Sequence, residues 1–372
     1  MSHLAHIQVW PQAVAANFAT MRRVGGNAAA VVKADAYGLG FAGVMPALKA
    51  EGCGQFFVAR LEEGIALRQY LDAKGGAPTF RIFVLDGAPA ESISALAHHR
   101  LIPVLGSLAE IEAWNAEARS QRANLEVVIH VDTGMNRLGL PNEELSVLAA
   151  EASQRLGWLD LVLVMSHLAC GDDPASPMNA IQLSKFKAAL AQLPPAPASL
   201  AASGGVFLGK DYHFDLARPG IGLYGGHPQP GHGPNPMQAA VRLTGTVLQT
   251  RQIVAGDSVG YGATFRAAQP ASIATIALGY ADGVLRSASN RAEAAFRGGR
   301  ARLVGRVSMD LITLDVTGLG VAVGDEAELF GPDLPLDEAA AAWGTISYEL
   351  LTGLSRRIPR IYMGAGDSLR DS

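Results

Sequence analysis

Ala28-Ala-Ala-Val-Val-Lys-Ala-Asp-Ala-Tyr-Gly-Leu-Gly40 joins a five-residue apolar run to a lysine and then to a polar, glycine-bearing turn. The run reads as a strand buried on both faces, the type found in parallel sheets covered by helices. Lys33 then stands at the strand's carboxyl end, with its stem desolvated and its amine aimed at a cleft. Burial disfavours the ammonium form, so the amine falls from about 10.4 toward neutrality. A neutral amine is what a lysine needs to capture a carbonyl group. Taken by itself, the stretch also fits a surface lysine that opens a loop.

Working outward, short apolar runs alternate with longer amphipathic ones from residue 28 to about 225. Strands are expected at 28–32, 55–59, 79–85, 101–105, 125–131, 159–165, 199–202 and 214–217. Helical patterns lie between them at 41–51, 61–73, 91–98, 107–118, 143–155 and 179–190, and Ser107-Leu-Ala-Glu110 has the form of a capping box. Eight such units are what a closed (β/α)8 barrel requires. Polar residues cluster just after the expected strands: Lys33, Arg60, Asp86, Asp132 with Arg137, His167, Ser203 and Arg218. A barrel gathers all of those loops on one catalytic rim, whereas a doubly wound open sheet would spread them.

Beyond residue 225 the character changes. Gly225-Gly-His-Pro-Gln-Pro-Gly-His-Gly-Pro-Asn-Pro236 is dense in turn formers, and the runs at 241–253, 271–278, 301–307 and 311–316 are β-branched and broken by glycine. One short helix is expected over 336–343. The expected architecture is an N-terminal (β/α)8, TIM-like barrel over residues 1–232 and a mainly β C-terminal domain over 233–372. With 49% hydrophobic and 17% charged residues, the 372-residue chain can bury a large core. A net charge of −4 gives no reason to expect nucleic acid or an anionic membrane as partner. The two cysteines, Cys53 and Cys170, have no metal-ligand spacing, so no metal site is expected. Neither a signal peptide nor an apolar membrane span is visible, and a cytoplasmic protein is expected.

Eight segments occur in order: Val31-Val-Lys-Ala-Asp-Ala-Tyr-Gly-Leu-Gly40, Asp132-Thr-Gly-Met-Asn-Arg-Leu-Gly139, Met165-Ser-His-Leu-Ala169, Ala217-Arg-Pro-Gly-Ile-Gly-Leu-Tyr-Gly225, Gly260-Tyr-Gly-Ala-Thr-Phe265, Gly279-Tyr-Ala-Asp-Gly283, Gly305-Arg-Val-Ser-Met-Asp310 and Gly344-Thr-Ile-Ser-Tyr-Glu349. Together they resemble alanine racemase, a pyridoxal 5'-phosphate enzyme, over nearly the whole chain. The resemblance implies interconversion of L- and D-alanine by two bases on opposite faces of the substrate, supplying D-alanine for peptidoglycan. It assigns the cofactor lysine, which acts on D-alanine, to Lys33, and the base acting on L-alanine to Tyr261. A tyrosine near pKa 10 is a poor base unless a cation stabilises its phenolate. The family brings two such distant residues together by head-to-tail dimerisation, so a homodimer with shared sites is implied.

The other assignments follow from the same motifs. Arg218 matches the arginine at the pyridine nitrogen, where a guanidinium donates without protonating the ring. Arg137 matches the arginine that contacts the substrate carboxylate, and Met309 a residue whose backbone binds that carboxylate. Gly220, Ile221 and Ser203 fit a barrel phosphate site, Tyr37 resembles the tyrosine that reaches the phosphate, and His167 the histidine that supports the arginine. Judged alone, Tyr261 could be an aromatic in a β turn, Arg218 a structural ion pair, Met309 a core filler and His167 a satisfied core histidine.

Two departures stand out. His130 occupies the position where many members carry a lysine that orients the substrate-contacting arginine, leaving the group that orients Arg137 open. Arg356 stands where several carry a tyrosine, so a cation could serve the phosphate there. The alternatives within the fold are a racemase of broader specificity, for serine, lysine or arginine, and a decarboxylase. The latter would place a carboxylate in Arg218's position. A non-catalytic pyridoxal-phosphate carrier resembles the barrel alone.

Overall fold

The protein, seen as a computed structural model, is described over residues 3–73 and 80–364. Seven parallel strands pair in sequence order: Ala30–Val31, Gln55–Val58, Arg81–Val84, Ile102–Leu105, Leu125–His130, Leu159–Met165 and Ala198–Ser199. Their side chains are buried almost throughout, with Phe56, Phe57 and Phe83 fully inside and the rings of Phe57 and Phe83 stacked at 4.4 Å. That burial on both faces is why these strands read as continuous apolar runs.

The eighth unit departs from expectation. Residues 214–217 form no regular strand, because Phe214 has φ 50° and Pro219 has no N–H to donate. The segment closes the ring by single bridges instead. Ala29 N donates to Ala217 O (2.9 Å), Val31 N to Pro219 O (3.0 Å) and Arg218 N to Ala201 O (2.8 Å), so it lies between the first and seventh strands. The sheet is therefore a closed (β/α)8-type barrel with a thin eighth stave.

Helices Phe41–Ala50, Leu61–Ala73, Leu108–Gln121 and Pro177–Leu190 lie close to their expected bounds. The expected helix at 143–155 is two pieces, Asn142–Ala150 and Ala152–Arg155, broken at Glu151 where φ reaches −113°. Ser107 Oγ caps its helix by accepting from Glu110 N. Glu110 returns its carboxylate to Gly106 N at 2.9 Å, one residue earlier than the usual reciprocal bond. Thr79, the first residue of an expected strand, lies outside the described residues.

The second domain is antiparallel. Strands Ala271–Ile276, Ile312–Asp315, Gly299–Leu303, Glu293–Phe296, Glu326–Phe330 and Val241–Ile253 are neighbours in that order, and Val241–Ile253 pairs again with Ala271–Ile276, so the pairing returns to where it began. Strand Ala5–Val9, expected in the barrel, is antiparallel to Val241–Ile253 and parallel to Arg360–Tyr362. The barrel's expected 1–232 span therefore surrenders its first strand to the second sheet. Leu336–Trp343 is helical as expected, followed by the helix Ser347–Thr352, which packs toward the barrel rim. No helix among the described residues is long and apolar enough to cross a membrane.

Candidate active site

The strand Ala30–Val31 delivers Lys33 to the rim. The next four residues, Ala34, Asp35, Ala36 and Tyr37, all have φ between 52° and 57°, a left-handed turn that ends at Gly38 with φ 82°. L-residues disfavour that conformation by about 1–2 kcal/mol each, so surrounding contacts must impose it. Glu63 does so at one end, accepting from Ala34 N (2.6 Å), Ala59 N (2.8 Å) and Arg60 N (3.1 Å). Asp35 Oδ1 accepts from Phe41 N at 2.8 Å and carries the turn into the next helix. Burial lowers the Lys33 amine from its ordinary value, and Arg137 lowers it further, against the pull of Glu63 and Asp86.

Arg218 is 3% exposed and lies on the eighth stave. Its Nη2 donates to Ser166 O (2.6 Å) and Leu200 O (3.4 Å) and stands 3.4 Å from His167 Nδ1, while Nη1 donates to Ser199 Oγ. Every one of these acceptors is uncharged. Burial pulls the guanidinium down to about 9, still cationic near neutrality. Burial and the Arg218 charge together hold His167 at about 3, and burial with the same arginine holds His130 at about 4. Both imidazoles are neutral, so His167 Nδ1 is free to accept.

Ser203, 1% exposed, gathers two amides on its Oγ, those of Gly220 (2.9 Å) and Gly222 (3.2 Å). Tyr37 Oη reaches the same place: a Cβ added at Gly220 would lie 2.2 Å from it. Tyr37 is buried between Tyr224 (centroids 4.7 Å apart) and Tyr348 (5.9 Å), and burial drives its hydroxyl well above 10, so it remains a donor. Ile221 is buried beside this cradle.

Arg137 is exposed on a loop that Asp132 fixes, with Oδ1 accepting from Gly134 N (2.9 Å), Met135 N (3.0 Å) and Asn136 N (3.2 Å). Sequence reasoning missed the fully buried Gln182. It donates to Thr133 Oγ1 (3.1 Å) and His167 O (2.9 Å) and accepts from Ala169 N (2.8 Å), tying the Arg137 and His167 loops together. Its only sequence signal is a polar residue on the inward side of a helix.

The structure therefore gathers Lys33, Tyr37, Arg137, His167, Ser203, Arg218, Gly220 and Ile221 on one rim. Tyr261 and Met309 stand apart from them. They lie on the second domain, 73% and 54% exposed, with the Arg306 guanidinium against the backbone of Gly262. Arg356 is exposed near Arg360 rather than at the Ser203 cradle, where Tyr348 packs on Tyr37 instead.

Residues 9–228 match the family model for the alanine racemase N-terminal domain, and residues 240–362 the model for its C-terminal domain. The chain belongs to the alanine racemase family. It is 48% identical over 343 residues to a catabolic alanine racemase of Agrobacterium fabrum, covering 91% of this chain and 87% of that one. It is 46% identical over 358 residues to an alanine racemase of Rhodospirillum rubrum, covering 95% and 94%. The structure of alanine racemase from Bartonella henselae with covalently bound pyridoxal phosphate superposes with a TM-score of 0.92 at 40% identity, covering 97% of this chain and all of that one.

Membership makes this chain a pyridoxal-phosphate-dependent racemase. The residues present fit that cofactor. Amides converging on Ser203 beside a buried tyrosine donor suit a phosphate, and a buried guanidinium that meets only neutral acceptors suits a ring nitrogen. The lowered amine of Lys33 suits a covalent carbonyl link.

Proposed function

We propose that this enzyme interconverts L- and D-alanine, with Lys33 exchanging the proton of D-alanine and Tyr261 of a second copy exchanging that of L-alanine. The observation that carries this reading is a contrast in exposure. Lys33 is partly buried in a cationic barrel mouth, while Tyr261 and Met309 face outward from the second domain. A second chain set head to tail would bring that face to the barrel mouth. Bound through Lys33, pyridoxal phosphate supplies the electron sink that acidifies the substrate's α-proton.

Ser203, Gly220, Ile221 and Tyr37 would hold the phosphate, and Arg218, supported by His167, would donate to the pyridine nitrogen. A donor that keeps its own proton leaves the ring a restrained electron sink, which favours return of the α-proton over other outcomes. Arg137 and the backbone of Met309 would hold the substrate carboxylate. Lys33 Nζ, its amine lowered by burial and by Arg137, takes or returns the proton on one face. Tyr261 Oη does so on the other. The same reading keeps the domain division at 232/233, amended by the strand Ala5–Val9, and gives the enzyme a cytoplasmic role in supplying D-alanine for peptidoglycan.

Complementation tests the shared site. Lys33→Ala and Tyr261→Phe chains are each expected to be nearly inactive. Mixed and reassembled, they should recover about a quarter of parental activity, because half the dimers are hybrids with one intact site. Recovery of nothing, with hybrids present, would sink the two-chain site. A panel of serine, lysine and arginine measures specificity, and a requirement for external D-alanine on deletion measures the physiological role.

A further inference from the structure

The left-handed turn that presents Lys33 is held at its far end by the second domain. Arg360 lies at the start of strand Arg360–Tyr362, and its Nε and Nη2 both donate to Gly38 O, at 3.1 and 2.9 Å. Its remaining donors are spent on its own segment, with Nη1 on Ser355 O (2.5 Å) and Ile358 O (2.7 Å) and Nη2 also on Leu354 O (3.1 Å). The guanidinium therefore has a fixed position from which it grips one carbonyl twice.

The contact is close-fitting as well as polar. At Gly38 an added Cβ would fall 2.4 Å from Leu351 O, so the helix Ser347–Thr352 is packed directly on the turn. Tyr362 Oη donates to Leu39 O at 2.9 Å, one residue further on. Inside the turn, Gly38 N donates to Ala34 O (2.7 Å) and Gly40 N to Asp35 O (2.9 Å). Fixing the Gly38 carbonyl thus holds the residue whose own N–H closes the loop onto Ala34, the residue next to Lys33.

We infer that Arg360 is a positioning residue for Lys33, holding the left-handed turn in the geometry that aims the amine into the barrel mouth. Glu63 grips the near end of the turn and Arg360 the far end, so each domain of the same chain holds one end. The inference rests on Lys33 being the cofactor-linked base. A misdirected amine costs rate rather than substrate affinity, since a small displacement from the reactive geometry is expensive.

The test uses the cofactor-loaded full chain. Arg360→Met should lower kcat by about 10–100-fold, with KM for alanine changed by less than about threefold. It should also shift the pH midpoint of the visible band of the lysine-linked cofactor and speed amide hydrogen exchange at Gly38 and Gly40. Arg360→Lys, which keeps the charge and one donor nitrogen, should recover part of each. Parental exchange rates and an unmoved band midpoint in a folded Arg360→Met protein would overturn the inference. If that variant fails to fold, Arg360→Gln, which keeps polar contact with its own segment but falls short of Gly38, is read by the same criteria. A visible band surviving in Lys33→Ala would instead overturn the assignment of Lys33, while exchange at Gly38 and Gly40 continues to report on Arg360.

Discussion

Nη2 of Arg218 stands 3.4 Å from Nδ1 of His167, a buried cation against an uncharged imidazole. The relationship sustains itself. The guanidinium's charge and burial keep the imidazole unprotonated, and the unprotonated nitrogen is one of the few acceptors the guanidinium has. Protonating His167 would place two cations in contact in a dry pocket.

Acid should therefore loosen the fold through these histidines. His167 and His130 sit at about 3 and about 4 in the folded chain against 6.5 when unfolded. Between those values the unfolded chain holds protons that the native state lacks. Stability is then full above about 6.5 and is lost as the pH falls toward 4. Tm measured across that window should drop less steeply in His130→Asn than in the parent, and parallel slopes would count against the account.

Arg137 lowers the Lys33 amine, so removing it should raise that amine. In Arg137→Met, the pH at which cofactor-free protein takes up pyridoxal phosphate should move upward, because the neutral amine forms later. A stopped-flow series of uptake rate against pH reads this directly. An unmoved profile would show that burial alone sets the amine.

At Gly220, an added methyl would land 2.2 Å from Tyr37 Oη. Gly220→Ala should therefore weaken cofactor binding by displacing Tyr37 from the cradle, and Tyr37→Phe should weaken it less, since only one donor is lost. Equilibrium dialysis of the cofactor, with the lysine link left free to form and hydrolyse, gives the order. The reverse order would mean that the tyrosine hydroxyl, not the space, holds the phosphate.

Gln182 is fully buried and satisfies Thr133, His167 O and Ala169 N at once. Gln182→Leu removes the side-chain partner of His167 O and Ala169 N and leaves Thr133 Oγ1 with Ser166 Oγ alone, and should cost about 1–3 kcal/mol in urea unfolding. Racemisation should fall in the same variant, because the Arg137 and His167 loops lose their tie. Loss of stability with unchanged kcat would limit Gln182 to the core.

Much of this was legible in the sequence because apolar and amphipathic runs bounded by turn formers mark their elements. Leu159–Met165, Val241–Ile253 and Leu336–Trp343 stand at the bounds their patterns set. The eighth stave was misread because Phe214 is apolar yet turns left-handed, which hydrophobicity does not encode. Strand Ala5–Val9 falls within the span expected for the barrel, and its partners at Val241–Ile253 and Arg360–Tyr362 lie too far along the chain for a local pattern to reveal. Lys33, Arg218 and Ser203 could be read from motif and strand end. Glu63, Gln182 and Arg360 could not, because each acts by accepting from or donating to the backbone of another segment, and such partners leave no spacing signature.

The placement of Ala5–Val9 has a consequence for biosynthesis. The strand is made before the barrel, but its neighbours at Val241–Ile253 and Arg360–Tyr362 are made after it. The barrel is thus an insertion within a β sheet, and it can fold while that sheet waits. While the barrel is being made, that strand is an open edge with unpaired amides. The growing chain must keep that edge from other chains until its own late strands arrive.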